Sequence, residues 1–200
     1  MAMPAYITPE AYLELEKTSP EKHEYQGGEM FAMAGASDRH VRLTMNMTIA
    51  LAGKLRGRPC RAFASDMKVQ VESVNAYYYP DLLVTCDPRD KANTHIKAHP
   101  SLIVEVLSPS TEAFDRGAKF FNYQTIEAFQ AYVLVSQEGI RVEHFFKQGP
   151  KRWMYELLGE GDVLHLESLD MDIPIGDLYE DVEFPSEDDG ESAVETAETS

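Results

Sequence analysis

The sequence predicts an α/β protein with a mixed central β-sheet flanked by helices, and two observations lead to that fold class. Helical patterns stand near the start, strand patterns follow, and the two kinds then alternate along the body of the chain. Hydrophobic residues make up 44% of the 200 positions and charged residues 26%, as is typical of a globular domain. We expect one domain over residues 1–180 and a disordered acidic tail over 181–200, which holds eight acids and neither Lys nor Arg.

The first third of the chain is predicted to be a helix, a hairpin and a longer helix. Thr8 and Pro9 resemble the cap and first residue of a helix that runs to about Lys17. Gly27 and Gly28 then separate two short segments, which indicates a hairpin. Ser37 caps the second helix, which ends before Gly57. Its apolar face is predicted from residues spaced three and four apart, namely Val41, Met45, Thr48, Ile49, Ala52 and Leu55.

From residue 60 the apolar period shortens and indicates strands. In the segment 77–85, Pro80 predicts an edge position or a bulge beside Asp81. Residues 101–107 and 129–136 are predicted to be buried strands, with a helix over 112–126 between them. The other predicted strands are 60–64, 66–72, 139–147, 152–159 and 163–166.

The net charge and the two cysteines limit which functions and which cellular location the sequence favours. The net charge of −16 argues against a general nucleic-acid binder, because phosphate contacts need Lys and Arg. Cys60 and Cys86 lie far apart and form no CxxC pair, which favours reduced thiols over a disulfide or a zinc site. No apolar run is long enough to cross a membrane, and the first residues lack a signal-peptide pattern. The prediction is a cytoplasmic protein without a membrane partner.

One acidic residue lies inside a pattern that predicts a buried strand, and its charge needs a compensating cation. Glu105 interrupts the apolar run from Leu102 to Leu107, and burying a carboxylate costs several kcal/mol unless a cation or metal compensates it. Asp81 lies 24 residues earlier, which allows two neighbouring strands with a connecting loop. Two carboxylates on adjacent strands suit Mg²⁺ or Mn²⁺, with the backbone carbonyl of Val106 as a further oxygen ligand.

The helix after this strand is predicted to supply the compensating cation. Asp115, Lys119 and Tyr123 are spaced four residues apart and therefore share one face. Lys119 on that face would stabilise charge or polarise water, while Asp115 and Tyr123 would orient it. The alternative is an exposed Asp–Lys helix pair without a functional role. His40 is predicted to be a polar surface residue rather than a general base.

Four segments together carry a family resemblance. They are HEYQGGEM, YYPDLLV, LIVEVLSPST and DRGAKFFNY, in this order. Over residues 5–180 the chain resembles the Uma family of restriction-endonuclease-like proteins, within the PD-(D/E)xK nuclease superfamily. The resemblance implies a restriction-endonuclease-like core around a four-stranded mixed sheet, Mg²⁺-dependent phosphodiester cleavage, and a homodimer.

The resemblance also implies roles for individual residues. Asp81 matches the aspartate of the PD motif and Glu105 the second acid. The superfamily lysine usually stands two positions after that acid, where this chain has Leu107, and Lys119 takes its place from the following helix. Glu24 matches an N-terminal acid that can join the metal site, and the alternative for Glu24 is an exposed acid at a strand end.

Two functions from different classes follow. The first is a Mg²⁺- or Mn²⁺-dependent endonuclease acting on nucleic acid, with DNA favoured over RNA. The second is a catalytically inactive protein of the same fold that serves as a protein-interaction module, which the acidic composition favours. In a third possibility the acidic tail imitates nucleic acid and restrains the site.

Overall fold

The predicted alternation of helices and strands is present in the computed structural model, which describes residues 6–184. The helices are α1 (Pro9–Glu16), α2 (Asp38–Leu55), α3 (Glu112–Phe114), α4 (Phe120–Tyr123) and α5 (Ile175–Leu178). The strands are β1 (His23–Gln26), β2 (Glu29–Ala32), β3 (Arg61–Ala64), β4 (Lys68–Val71), β5 (Ala76–Tyr78), β6 (Leu82–Thr85), β7 (Ile96–Lys97), β8 (Leu102–Leu107), β9 (Ala131–Ser136), β10 (Val142–Gly149), β11 (Arg152–Leu158), β12 (Val163–Leu166) and β13 (Met171–Pro174). Most of the predicted tail lies outside the described residues.

A mixed six-stranded sheet forms the centre of the fold, with the strand order β11-β10-β9-β8-β6-β3. The pair β8–β9 is parallel, and the other pairs in this sheet are antiparallel. The mixed central sheet is therefore confirmed, with two strands more than the four that the resemblance implied. A separate hairpin of β12 and β13 follows the sheet, and the sequence patterns predicted its first strand alone.

A second sheet has the strand order β2-β1-β5-β4-β7. It contains the predicted hairpin, in which β1 and β2 pair across Gly27 and Gly28. Both glycines have positive φ, and a Cβ on Gly28 would lie 2.3 Å from a ring carbon of Tyr6, so this turn requires glycine. Pro80 divides the single strand predicted over 77–85 into β5 and β6, which belong to different sheets. The chain therefore crosses between the sheets next to Asp81.

Helix α2 buries a different face from the predicted one. Leu43, Met47, Leu51 and Leu55 pack in the core that α2 shares with the central sheet. Val41, Met45 and Ile49 are exposed. Of the large apolar residues that the sequence predicted to be buried, only Leu55 is buried. Both sets repeat every four residues, and the periodicity by itself fits either face.

The two cysteines form a disulfide, so the prediction of reduced thiols is wrong. Strands β3 and β6 are antiparallel, with Arg61 opposite Thr85. This register places Cys60 and Cys86, the next residues outward, opposite each other. Their separation of 26 residues concealed that contact in the sequence. The cytoplasmic location rested partly on the thiols and stays a prediction.

The predicted helix over 112–126 is shorter and irregular. A π-helical turn, Asp115–Lys119, connects α3 with α4, and α4 ends at Tyr123. Within residues 6–184, no helix combines the length and apolar character needed to span a membrane.

Candidate active site

Asp81 and Glu105 lie side by side on neighbouring strands, as the sequence predicted. Strands β6 and β8 pair with Leu82 opposite Val104, and this antiparallel register continues to Asp81 and Glu105. The backbone N–H of Asp81 donates a hydrogen bond of 3.3 Å to Glu105 Oε2. The backbone N–H of Val106 donates a hydrogen bond of 2.7 Å to Asp81 Oδ2. These bonds hold the two carboxylates at the same edge of the central sheet.

Lys119 reaches Glu105 on β8 and Glu24 on β1 from the helical segment after β8. Its Nζ lies 3.0 Å from Glu105 Oε1, 3.0 Å from Glu24 Oε1 and 3.4 Å from Asp115 Oδ1. Only 6% of its side chain is exposed. The alternative of an exposed Asp–Lys helix pair is therefore wrong, because the amine is buried among three acids.

Glu24 lies on β1 of the second sheet and also belongs to this group of side chains. We call the group the acidic cluster, and its members are Glu24, Asp81, Glu105, Asp115 and Lys119. Besides its ion pair with Lys119, Glu24 Oε1 accepts a hydrogen bond of 3.0 Å from the backbone N–H of Tyr79. Its side chain is 14% exposed, which excludes the reading of Glu24 as an exposed acid at a strand end. The two sheets thus contribute acids to one cluster through Glu24 and Glu105.

Aromatic residues surround the cluster and limit the motion of its polar groups. The hydroxyl of Tyr123 donates a hydrogen bond of 3.3 Å to Glu105 Oε1, and that of Tyr132 donates one of 3.1 Å to the backbone carbonyl of Asp115. Lys119 Nζ lies 5.6 Å from the centre of the Tyr78 ring. Asn122 Nδ2 fixes this ring with a hydrogen bond of 2.7 Å to the Tyr78 hydroxyl. The surroundings are therefore packed rather than open to water.

A π-helical turn places two of these side chains. Asp115 and Lys119 are the first and last residues of the turn, and both are buried. Short π-helical insertions cost some regularity in hydrogen bonding and are frequent at functional sites. The sequence predicted the shared face but not the turn.

Burial and the excess of acids both perturb the charges at the site. Burial raises the pKa of Glu105 well above its usual value. Lys119 opposes this rise, whereas Asp115, Asp81 and Glu24 add to it. Burial lowers the pKa of Lys119, but the attraction of Glu105, Glu24 and Asp115 outweighs it and raises the pKa well above its usual value. Three carboxyl groups thus face one lysine, and Asp81 lies beside one of them, Glu105.

This donor set fits a hard divalent cation. Mg²⁺ commonly takes one or two protein carboxylates and completes its octahedral shell with water or substrate oxygens. Asp81 and Glu105 supply such oxygens, and the acids around Lys119 outnumber it, which favours a dication. Within residues 6–184, no group of three or more His, Cys, Asp or Glu side chains is arranged to hold a metal ion. A cation here would depend on these two carboxylates, while the Val106 carbonyl stays a predicted ligand.

His40 is a residue at the site that sequence reasoning missed. It was predicted to lie on the surface, yet its Nε2 is 3.3 Å from Asp81 Oδ2 and its side chain is 17% exposed. Burial lowers the pKa of His40, but the hydrogen bond and charge of Asp81 outweigh burial, so the pKa is raised. The separation of 41 residues gave no signal of this contact.

The start of α2 is fixed to the central sheet, which explains the position of His40. Ser37 Oγ accepts a hydrogen bond of 3.1 Å from the His40 N–H and donates one of 2.7 Å to Gln137 Oε1. Arg39 Nη1 donates a hydrogen bond of 2.9 Å to the Gln137 carbonyl. Gln137 Nε2 in turn donates one of 2.7 Å to the carbonyl of Leu107, at the end of β8. The strand that carries Glu105 is thereby tied to the helix that carries His40.

Comparisons with known proteins agree with this fold. The model of the family Uma2, described as "Putative restriction endonuclease", matches residues 9–175. An uncharacterized protein of Synechocystis sp. is 36% identical over 178 residues, covering 89% of this chain and 94% of the relative. A second uncharacterized protein of the same organism is 40% identical over 157 residues, covering 77% and 89%.

A solved structure extends the comparison to the fold. The crystal structure of "a putative nuclease belonging to DUF820" from Anabaena variabilis superposes with a TM-score of 0.70 at 18% identity. The match covers 87% of this chain and 98% of that chain. The restriction-endonuclease-like fold that the sequence predicted is therefore confirmed.

Proposed function

We propose that this chain, which belongs to the Uma2 family, is a divalent-metal-dependent endonuclease that hydrolyses phosphodiester bonds, with DNA as its favoured substrate. The observation that carries the proposal is the convergence of Glu24, Asp81, Glu105 and Lys119 from four separate elements. A buried cluster with an excess of acids weakens a fold, and such a cluster is retained where its chemistry is used. The family description and the fold support the same reaction class.

In this proposal Asp81 and Glu105 hold Mg²⁺ or Mn²⁺, with the Val106 carbonyl as an additional ligand. The bound ion supplies a Lewis acid that activates water and stabilises charge on the phosphate oxygens. Glu24 completes the acidic side of the site from β1. The hydrogen bonds from Val106 to Asp81 and from Tyr123 to Glu105 keep the carboxylates in position before the substrate arrives.

Lys119 would change partners when the substrate arrives. Its ammonium group is shared among Glu24, Glu105 and Asp115, all within 3.4 Å. Asp81 and Glu105 would hold the divalent cation, which would supply Glu105 with positive charge that it otherwise receives from Lys119. The ammonium group can then donate a hydrogen bond to a phosphate oxygen and stabilise the charge that develops there. Asp115 and Tyr123 would keep the amine and the carboxylate oriented during this change.

The test is cleavage of supercoiled plasmid, linear duplex, single-stranded DNA and RNA with Mg²⁺, Mn²⁺ or EDTA. We expect metal-dependent cutting of DNA that Asp81→Asn and Glu105→Gln each abolish. Asp172→Asn is a matched control, because this exposed acid pairs with His165 on the surface. If the wild-type protein leaves every substrate intact and no divalent ion raises its melting temperature, the proposal is wrong.

A second candidate function is a protein-interaction module that has kept the nuclease fold. The net charge of −16 favours it, because the acidic surface repels the backbone that a nuclease must hold. In that case Asp81→Ala, Glu105→Ala and Lys119→Ala would each leave the biological phenotype of the protein intact. A phenotype lost in all three variants, with the fold retained, supports the nuclease instead.

The proposed assembly is a homodimer that packs through the exposed face of α2. Val41, Met45 and Ile49 form an apolar stripe along this face and are 43–66% exposed. Asp38 begins the stripe and Arg56 follows its end, so antiparallel packing of two copies brings opposite charges towards each other. Ile49→Glu should convert a dimer into a monomer in light scattering, whereas Leu157→Glu on β11 should not. A wild-type mass of 22.5 kDa at high concentration would exclude the dimer.

A further inference from the structure

The hairpin of β1 and β2 carries two large apolar side chains that point into solvent. Phe31 is 50% exposed and Met33 is 40% exposed. The backbone N–H of Met33 donates a hydrogen bond of 2.9 Å to the carbonyl of Lys22, so the chain continues the ladder beyond the end of β2. Residues two apart on an extended chain face the same side, and Phe31 and Met33 therefore form one surface.

The register of the second sheet places this surface beside the acidic cluster. Phe31 lies directly opposite Glu24, and Tyr78 lies opposite Val69. Extending the register of β1 with β5 by one residue beyond Tyr25 and Tyr77 brings Tyr78 beside Glu24 in the same row. Directly opposite side chains in an antiparallel pair have Cβ atoms about 4.5–5.5 Å apart. The row runs from buried Val69 through Tyr78 and Glu24 to exposed Phe31. Phe31 is thus the outer neighbour of an acid whose oxygen contacts Lys119.

Because the lysines near the acidic cluster are paired with acids, an apolar contact would add substrate affinity that these charges do not supply. Lys22, opposite Met33, is paired with Asp66, and Lys119 is enclosed by three acids. These two lysines are therefore engaged by acids, and the whole chain is acidic. Stacking of a base on an aromatic ring does not depend on charge and raises affinity by roughly tenfold or more for each base.

We infer that Phe31 and Met33 contact an unstacked nucleobase of the substrate next to the phosphate that enters the acidic cluster. The inference rests on the proposed nuclease function and specifies the substrate: single-stranded nucleic acid, or a duplex opened locally at the site. The Phe31 ring stacks on the base, and the flexible thioether of Met33 packs against its edge.

The experiment measures binding by fluorescence anisotropy in an Asp81→Asn background with Mg²⁺, so that the probe is not cut. One probe is a labelled oligothymidylate of about 12 nucleotides, and the other is an abasic strand with the same number of phosphates. We expect tighter binding of the thymidylate by roughly tenfold. Phe31→Ala should remove this preference and leave binding of the abasic strand unchanged, whereas Phe31→Trp should retain it.

The matched control is Phe121→Ala, which removes another exposed phenylalanine from α4. It should leave the base preference unchanged. Equal effects of Phe31→Ala and Phe121→Ala, or equal weakening of both probes by Phe31→Ala, would overturn the inference. If Phe31→Ala changed the molar mass of the protein in solution but left the base preference unchanged, the inference would also be overturned. The hairpin would then be covered by a second copy of the chain. If the wild-type protein cuts plasmid but the variant used for binding does not prefer the thymidylate probe, the stacking contact alone is wrong. If the protein neither cuts plasmid nor binds either probe, the nuclease proposal is wrong as well.

Discussion

Replacing Lys119 by methionine tests the charge balance of the acidic cluster. Methionine keeps most of the length and the apolar stem of the side chain, so the change removes the ammonium group with little loss of volume. Glu24 and Glu105, each 3.0 Å from this amine, would then lack a cationic partner among the described side chains that contact them. The expected result is a less stable protein when no divalent cation is present.

The magnitude follows from the distances. At an effective dielectric constant of about 20, two unit charges 3.0 Å apart attract by about 5–6 kcal/mol, which gives about 11 kcal/mol for the two glutamates together. Most of this attraction is offset by the cost of removing the ammonium group from water. Removing one partner from a buried ion pair typically costs about 3–5 kcal/mol in net stability. For a chain of this length the melting temperature should fall by roughly 6–20 °C.

The assay is thermal unfolding followed by circular dichroism in EDTA and again with Mg²⁺. Lys17→Met is the matched control, because Lys17 and its partner Glu14 have side chains that are 67% and 73% exposed. Such an exposed pair is worth less than about 1 kcal/mol. Mg²⁺ should recover more stability in Lys119→Met than in Lys17→Met, since it supplies positive charge to the acids. Equal small losses in the two variants would refute the reasoning.

The loss should also depend on pH in a defined direction. Burial raises the pKa of Glu105 above its unfolded-state value, so protonation of this carboxyl stabilises the folded protein. The stability deficit of Lys119→Met should therefore shrink as the pH falls through the folded-state pKa of Glu105. A deficit that grows on acidification would contradict this assignment.

Three further changes probe other parts of the structure. Replacing both Cys60 and Cys86 by serine should lower the free energy of unfolding by about 3–4 kcal/mol in urea titrations, because their disulfide spans 26 residues, and dithiothreitol should have the same effect on the wild-type protein alone. Leu51→Ala should cost about 2–5 kcal/mol, since this α2 side chain is fully buried, whereas Leu157→Ala on the surface should cost less than about 0.5 kcal/mol. His40→Ala should slow Mg²⁺-dependent cleavage by about 10–100-fold in initial-rate assays, because Asp81 loses a hydrogen-bond partner.

The acidic pair was predictable because local patterns specified both of its strands. Glu105 stands inside a run that is otherwise apolar, which predicts a buried strand, and Asp81 follows a proline that fixes where the next strand begins. The separation of 24 residues allows two neighbouring strands with a connecting loop, and the register confirms that β6 and β8 are neighbours. The same reasoning reached Lys119, since its four-residue spacing from Asp115 and Tyr123 is a local property of the helix.

Local sequence patterns could not predict contacts between segments that lie far apart in the chain. The disulfide depends on the pairing of β3 with β6, and the contact of His40 with Asp81 depends on how α2 docks on the sheet. Helix α2 has two stripes with equal spacing, so the choice of the buried one is made by the packing partner rather than by the period. Each of these features requires tertiary information that no local pattern contains.

The packing around β8 explains why a lysine contacts Glu105 from the helical segment and not from position 107. Leu107 lies on the same side of β8 as Glu105, and it packs with Phe120 and Tyr123 in the core on that face. A lysine at position 107 would have to bury its charge in this apolar cluster. Lys119 instead approaches Glu105 from the π-helical turn, where Asp115 provides a second acid 3.4 Å from the amine. The ammonium group thus lies 3.0 Å from Glu105 although position 107 holds leucine, and a search for the two-residue spacing alone would miss Lys119.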